Sequence, residues 1–282
     1  MAFWVGLNIE HFVPGVPSTS ITPITAQLVP DPLNAGWRDY GPRVGVWRVM
    51  DVLDRVGMRA SVLLNSDVCA EYPEIILEGN KRDWRWLAHG KNNSTLQTFM
   101  NPDDERAYLT EVVDTIRRST GQQPRGWLGP ALTETAETAN LLAELGVDYI
   151  CDWCNDDQPY PMEVRSGRMI SVPYSIEVND IPVALDRGLS ARELGEMIKD
   201  QFDVLYAEGK STSQVMAVAL HPFIVGLPFR AKHLEAALSY VAGHDDVWLT
   251  TSDEIADWYY ESYYEGAVQA IAARGDGHAG PA

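Results

Sequence analysis

Short apolar segments alternate with helical segments along most of this chain, and that alternation restricts the fold more than any other feature. Residues 3–9 and 215–220 are apolar runs of strand length, whereas residues 46–56 carry apolar side chains at spacings of three and four. About seven or eight such units follow one another without a change in composition. Apolar strands between helices are typical of a parallel sheet covered on both sides. The sequence therefore predicts one α/β barrel, with an open doubly wound sheet as the alternative.

The predicted organisation is a single domain over residues 1–265 with a tail at 266–282. A stretch rich in proline, glycine and serine, residues 13–42, is predicted to be a loop, and a loop that long is usually a lid or a binding loop. Ser190 and Glu193 form a capping-box pattern at the start of one helix. Further strands are predicted at 59–64, 83–88, 125–128, 147–150, 168–172 and 247–250. Further helices are predicted at 71–79, 102–120, 133–145, 190–207, 230–242 and 252–264.

Charge and cysteine content exclude several classes of partner. The 282 residues include 22 Lys and Arg but 40 Asp and Glu, a formal charge of -18. Such an acidic surface repels phosphate backbones and anionic lipid, so we expect neither a nucleic-acid nor a membrane partner. Three cysteines imply no disulfide framework, and Cys151 and Cys154 lack further zinc ligands at matching spacing. With no signal peptide visible in the first residues, we expect a cytoplasmic protein.

Polar and titratable side chains follow the predicted strands directly. In α/β barrels the working residues lie at the carboxyl ends of the strands, which meet at one rim. The residues that follow the strands are, in chain order, Asn8, Glu10, His89, Trp127, Asn155, Asp156, Tyr174 and His221. Their position predicts an active site at that rim.

His221 is the strongest single candidate, because it directly follows an apolar strand and an imidazole there can exchange a proton near neutral pH. The alternative is a core histidine bonded to a backbone carbonyl. Glu10 could bind a metal or act as a general base, or it could form a buried salt bridge to Arg43 or Arg48. The acidic pair that begins at Asp156 could equally well solvate a turn.

His89 and Asn93, four residues apart, form a weak metal-binding pattern, since an amide oxygen is a poor zinc ligand.

Several segments of the chain resemble the polysaccharide deacetylase superfamily. The resemblance is greatest to the branch that contains metal-independent allantoinases, cyclic imide hydrolases and peptidoglycan-deacetylase-like proteins. The segments that carry it are NIE at 8–10, RVGVWRVMDVLDRVGMRASVLL at 43–64, HG at 89–90, GWLGPALTETAETANLLAELGVDYICDWCNDDQPYP at 126–161, VPYSIEVND at 172–180 and LHPFIVGLPFR at 220–230. The resemblance implies a distorted (β/α) barrel with about seven strands.

Asn8 and Asn93 depart from the family pattern. Metal-dependent members end the first strand with two aspartates, a base and a metal ligand, which correspond by position to Asn8 and Glu10. The two metal-binding histidines of the family correspond to His89 and Asn93. The resemblance therefore implies that Glu10, His89 and Asn93 hold zinc weakly or not at all, as in the allantoinase-like branch.

The sequence and the resemblance together predict a hydrolase of carbon–nitrogen amide bonds that acts on a small or cyclic amide. Glu10 or His221 would take a proton from water, His221 would protonate the leaving nitrogen, and donors near His89 and the 126–130 turn would stabilise the oxyanion. The residues expected to contact substrate are Asn8, Trp127, Asn155, Asp156, Tyr174 and Asn179, together with Trp37 and Tyr40 from the long loop.

Two alternatives stay open on the sequence alone. One is a metal-dependent polysaccharide or peptidoglycan N-deacetylase, whose substrate would be an N-acetylated sugar. The other is a degenerate member that binds an amide or sugar without cleaving it. Relatives in this branch are often tetramers, so the resemblance also implies a homo-oligomer.

Overall fold

A computed structural model describes residues 1–275 of the chain. Within that range a single sheet contains nine strands, and all neighbouring pairs but one are parallel. The strands are β1 Ala2–Ile9, β2 Ala60–Leu64, β3 Arg85–Ala88, β4 Gly126–Trp127, β5 Tyr149–Ile150, β6 Tyr160–Met162, β7 Met169–Ser171, β8 Val215–Leu220 and β9 Trp248–Thr250.

Helices pack against this sheet, most of them on its outer face. They are α1 Pro32–Tyr40, α2 Val46–Val56, α3 Val68–Glu71, α4 Pro73–Lys81, α5 Pro102–Thr120, α6 Thr138–Glu144, α7 Ala191–Glu208, α8 Pro222–Val225, α9 Pro228–Ala242, α10 Ser252–Ser262 and α11 Tyr264–Gly275. None of these described helices has both the length and the apolar content that a membrane crossing requires.

The strand order explains why the barrel is distorted. Seven parallel strands follow one another as β7-β5-β4-β3-β2-β1-β8, with β6 added antiparallel at the β7 edge and β9 paired with the start of β1. An isolated parallel bridge between Asn179 and Ala219 brings the chain after β7 back to β8. The predicted (β/α) barrel is confirmed, and the count of about seven matches the continuous parallel path but omits β6 and β9.

Strand β1 shows how the two layers of the core form. Phe3, Val5 and Leu7 belong to the apolar layer between the sheet and the helices, whereas Trp4 belongs to the cluster that fills the barrel. Side chains on a strand alternate between the two faces, so the even-numbered positions of β1 point into the barrel. Asn8 lies on that inward face.

The long segment 13–42 is not a loop throughout, and this prediction is wrong for its second half. Helix α1 occupies Pro32–Tyr40, with Pro32 at the first helical position and the Asp31 side chain capping the N–H of Asn34. Proline is tolerated at that position because its missing N–H would have no helical acceptor. A π-helical turn, Gly41–Gly45, then joins α1 to α2.

Three smaller differences concern the second half of the chain. The short strand β6 was not predicted, since it contains a proline and pairs only at an edge. The helix expected over 133–145 begins only at Thr138, because Ala131 and Leu132 have left-handed backbone conformations just before it. Helix α11 crosses the expected domain boundary at 265 and runs to Gly275, so the first part of the assigned tail is helical. Residues 276–282 lie outside the described residues.

Candidate active site

Most of the strand-end residues singled out from the sequence meet in one pocket at the carboxyl rim of the barrel. The pocket has a volume of about 260 Å³. The predicted residues that line it are Asn8, Glu10, His89, Asn93, Tyr174, Asn179 and His221. Thr19 also lines it, so the segment 13–42 reaches the pocket through a residue other than the two that were predicted.

The carboxylate of Glu10 lies at the centre of the polar groups. Its Oε1 is 3.4 Å from Nε2 of His89 and 3.5 Å from Nε2 of His221, and it accepts a hydrogen bond of 2.5 Å from the side-chain amide of Asn93. The other oxygen, Oε2, is buried and has no hydrogen-bond partner in the protein. Two imidazoles and an amide thus converge on one carboxylate oxygen and leave the second available to another molecule.

The remaining ring nitrogen of each histidine is fixed by a second contact. Nδ1 of His89 is 2.7 Å from the carbonyl oxygen of Leu128, so it carries the hydrogen, and Nε2 is the atom that faces the pocket. Nδ1 of His221 lies 2.6 Å from Oδ1 of Asp180, and the backbone N–H of His221 donates to Oδ2 of the same carboxylate at 2.7 Å. Asp180 therefore orients the imidazole of His221.

Asp180 was missed as a site residue by the sequence analysis, although it ends the segment VPYSIEVND. It is fully buried, and its neighbour Asn179 was the residue expected to act. The only local signal for Asp180 is its position directly after Asn179, in a segment that has the composition of a loop. Only the bridge from Asn179 to Ala219 places that loop beside His221.

These contacts give Glu10 and His221 opposite charges at neutral pH. Burial alone would raise the pKa of Glu10, but the charge of His221 and hydrogen bonds from His221 and His89 lower it to about 2. Burial alone would lower the pKa of His221, but Asp180 and Glu10 on either side of the ring raise it to about 10. Burial raises the pKa of Asp180, and His221 offsets only part of that rise.

Asn8 uses both amide hydrogens within the protein. Its Nδ2 donates to the Tyr174 hydroxyl at 2.8 Å and to the carbonyl oxygen of Leu220 at 3.2 Å. An amide has no basic atom, so Asn8 cannot take a proton from water. It fixes Tyr174 at the pocket wall and links β1 to β8.

The predicted metal set does not fit a divalent metal in this geometry. The amide nitrogen of Asn93 points to Glu10, and its oxygen accepts a hydrogen bond of 3.0 Å from Asn65 instead of facing His89. An amide N–H₂ group cannot be a metal ligand, because it has no free lone pair. Among residues 1–275 no group of three His, Cys, Asp or Glu side chains is arranged to hold a metal ion.

Three aromatic residues expected to contact substrate lie elsewhere. Trp37 packs edge-on against Phe223 with ring centroids 4.9 Å apart, and the Tyr40 hydroxyl accepts a hydrogen bond from Arg48. Trp127 is fully buried in the layer between the sheet and the helices. All three belong to the packing that supports the rim.

The loop residues Asn155 and Asp156 are exposed and also lie outside the pocket. Asn155 accepts a hydrogen bond from the Tyr160 hydroxyl, and Asp156 accepts one from the N–H of Gln158. The alternative interpretation of Asp156, a residue that stabilises a turn, agrees with these contacts.

The 3₁₀ turn after β4 supplies another part of the pocket wall. Ala131 and Leu132 line the pocket, and they have φ angles of 56° and 54°, which residues other than glycine rarely adopt. Ala131 is within the first turn of the helix Pro130–Leu132, where backbone N–H groups lack helical acceptors. The oxyanion donors were predicted near residues 126–130, and Ala131 is the next residue along the chain.

Comparison with known proteins identifies the domain. Residues 38–150 match the sequence profile of the polysaccharide deacetylase family. Over those residues the chain matches a polysaccharide deacetylase domain. A Schizosaccharomyces pombe protein named for the same activity is 26% identical over 242 residues, covering 77% of this chain and 73% of that protein. A Helicobacter pylori peptidoglycan deacetylase is 26% identical over 203 residues, covering 60% of this chain and 68% of that protein.

The fold of the polysaccharide deacetylase domain is shared with a PuuE allantoinase of known structure. That structure superposes with a TM-score of 0.80 at 24% identity, covering 93% of this chain and 91% of the other. Deacetylation is the hydrolysis of a carbon–nitrogen amide bond, so the family places this chain among the C–N hydrolases.

Proposed function

We propose that this polysaccharide deacetylase domain hydrolyses a small or cyclic amide and does so without a tightly bound metal. The observation that carries the proposal is the row Asp180–His221–Glu10, in which a buried imidazolium lies between two carboxylates at the wall of a small pocket. A base that is ionised and an acid that is protonated at the same pH are the two groups that amide hydrolysis requires.

In the proposed reaction, ionised Glu10 takes a proton from a water molecule as the water oxygen bonds to the amide carbonyl carbon. The negative charge that develops on the carbonyl oxygen is stabilised by the N–H of Ala131, because the N–H groups of Gly129 and Leu132 already donate within the protein. His221 then gives its Nε2 proton to the amide nitrogen, and the carbon–nitrogen bond breaks. The products are a carboxylic acid and an amine, which stay in one molecule when the substrate is a ring.

The resting state is restored through the contact between the two catalytic groups. After bond cleavage Glu10 is protonated and His221 is neutral. Their side chains are 3.5 Å apart, so the proton can pass to His221, directly or through one water molecule. Asp180 favours that transfer, because its charge stabilises the imidazolium.

Pocket size supports a small substrate. A volume of about 260 Å³ lies at the small end of ligand pockets and holds one ring more readily than a polymer segment. Thr19, Ile181, Pro182 and Asp186 complete the lining of the pocket. A PuuE allantoinase has the same fold.

The test is a turnover assay of the purified protein with allantoin, cyclic imides and N-acetylglucosamine oligomers. We expect ring opening by the wild type, and a loss of about 10²–10⁴-fold in kcat for Glu10→Gln and His221→Ala. His233→Ala, which changes a histidine on α9 away from the pocket, is the matched control and should retain wild-type turnover. Turnover of N-acetylated sugars alone, or binding without turnover, would contradict the proposal.

A further inference from the structure

The turn Gly129–Leu132 is strained, and the strain is held by groups outside the pocket. Ala131 and Leu132 are consecutive residues with positive φ, and both line the pocket. Each such residue costs on the order of 1 kcal/mol or more and persists only where surrounding contacts enforce it. The contacts that enforce this conformation also position the backbone N–H of Ala131, which the proposed function assigns to the oxyanion.

Two side chains anchor the turn, those of the half-buried Asp152 and the buried Gln97. Oδ1 of Asp152 accepts a hydrogen bond of 2.7 Å from the N–H of Gly129, and the amide of Gln97 donates to the carbonyl oxygen of Thr133 at 2.6 Å. The space is fully used, since a Cβ on Gly129 would lie 2.2 Å from that same Thr133 oxygen and 3.0 Å from Asp152 Oδ1. The turn is therefore locked between these two anchors.

Asp152 in turn contacts a second carboxyl group. Its side chain lies within hydrogen-bonding reach of Glu134. Asp152 Oδ2 and Glu134 Oε1 are both buried and have no hydrogen-bond partner, and the Trp153 side chain also lies within hydrogen-bonding reach of the Glu134 carboxyl group. Two ionised carboxylates in such a contact repel each other, whereas one shared proton converts the contact into a strong hydrogen bond.

The surroundings favour a proton over a cation. Glu105 lies behind Glu134, and its two oxygens accept hydrogen bonds from Thr135 and Thr138, so it adds negative charge. Within residues 1–275 no lysine, arginine or histidine forms an ion pair with any of the three carboxyl groups. The same part of the chain contains no arrangement of three acidic, histidine or cysteine side chains that would hold a metal.

We propose that Asp152 and Glu134 share one proton, and that this carboxyl pair is a positioning clamp for the turn that carries the oxyanion donor. The clamp acts through the N–H of Gly129 and does not touch substrate. This inference rests on the proposed function for its catalytic consequence, but the clamp itself is a structural property that can be measured without turnover.

The sign of the pH effect follows from burial. Burial raises the pKa of both Asp152 and Glu134, and the thiols of Cys151 and Cys154 beside Asp152 are neutral over the relevant range because burial raises their pKa as well. The proton therefore stays on the pair above the pH at which an exposed carboxyl loses it. As pH rises through the raised pKa, both groups become charged, repel each other and release the turn.

Hydrogen–deuterium exchange of the peptide that covers residues 128–134, corrected for intrinsic exchange and recorded from pH 6 to 10, tests the clamp in the full-length protein. Asp152→Ala should speed exchange there by about tenfold, the effect of one lost hydrogen bond. Asp152→Asn keeps an acceptor for Gly129 and a donor for Glu134, so the peptide should stay protected and lose the extra exposure at high pH. Asp156→Ala, in the same loop but exposed, is the control and should leave exchange unchanged.

The catalytic readout is a lower kcat with little change in KM for Asp152→Ala, together with retention of kcat by Asp152→Asn and Glu134→Gln.

Two exchange results would overturn the clamp. One is wild-type exchange in Asp152→Ala, and the other is exchange in Asp152→Asn as fast as in Asp152→Ala. Loosening of the wild-type turn on removal of divalent cations at neutral pH would also overturn it, because a cation would then be the bridge. If Asp152→Ala does not fold, the comparison of wild type, Asp152→Asn and Glu134→Gln decides alone. Protection of the turn in a protein that hydrolyses none of the amides would leave the clamp standing and refute only the proposed function.

Discussion

Glu10 and His221 define the site at the scale of single residues, because each is held in the charge state that the other favours. The pKa of Glu10 is about 2 and that of His221 about 10, so over the pH range between these values the carboxylate is ionised and the imidazole protonated. The proposed base and acid are therefore both ready without a prior proton transfer. The sequence leaves either residue open as the base, and these charge states favour Glu10 for that proposed role.

Asp180→Asn tests how the charge of His221 is maintained. The amide keeps an acceptor for Nδ1 but removes the negative charge that stabilises the imidazolium, so the pKa of His221 should fall. The acid form is then lost at lower pH, and the alkaline limb of the kcat/KM profile should move down by about one unit or more. An alkaline limb at the wild-type position would show that Asp180 has no such role.

The residues of the site could be predicted from the sequence only where they lie at the carboxyl end of a strand. Asn8 lies near the end of β1, Glu10, His89 and His221 directly follow strands, and parallel strands bring their carboxyl ends to one rim. Asp180 sits on a loop whose position depends on a single bridge to β8, which no local pattern encodes. Trp37 and Tyr40 lie outside the pocket for a related reason, because the segment predicted to be a loop forms helix α1.

At the scale of elements, helix α1 and the π-helical turn Gly41–Gly45 determine how closely the chain packs behind His221. A Cβ on Gly45 would lie 2.1 Å from the carbonyl oxygen of Pro222, the residue after His221. The backbone of Gly45 is therefore in direct contact with the backbone of Pro222. The packing explains why the end of this segment is ordered, because Pro32 and Pro42 sit at helix starts and Gly41 and Gly45 at close contacts.

Gly45→Ala should destabilise the protein by about 1–3 kcal/mol, the usual cost of overpacking, and should also lower turnover because Pro222 moves with His221. Gly36→Ala is the matched control, since a Cβ there meets no atom within 4 Å on a helix. That change should be neutral or stabilising by up to about 1 kcal/mol. Thermal unfolding of both variants measures the difference. Equal melting temperatures would contradict the close packing.

Periodicity and capping patterns could predict those helices whose limits depend on local sequence alone. The spacing at 46–56 and the capping box of Ser190 and Glu193 gave α2 and the start of α7 correctly, because both signals are local. The late start of α6 could not be predicted, since Thr135 and Thr138 are held by a buried glutamate from another helix, Glu105. Tertiary contacts of this kind override local propensity.

At the scale of the whole molecule, the barrel turns residues far apart in sequence into one small site. Glu10 and His221 are separated by more than two hundred residues, yet β1 and β8 are adjacent parallel strands with Leu7 opposite Leu220. Strand β3 carries His89 to the other side of Glu10 by way of β2. The barrel thus supplies the geometry, and the proposed chemistry depends on the side chains that the ends of these strands bring together.

Elemental analysis of the purified protein, with turnover of a ring amide before and after exhaustive chelation, tests the central proposal most directly. Because the Asn93 amide presents N–H groups to Glu10 and its oxygen to Asn65, we predict less than stoichiometric metal and unchanged ring opening after chelation. His221→Ala, assayed in parallel, should be inactive in both states. One bound zinc per chain, with activity lost on chelation and restored by zinc, would contradict the account and favour a metal-dependent deacetylase.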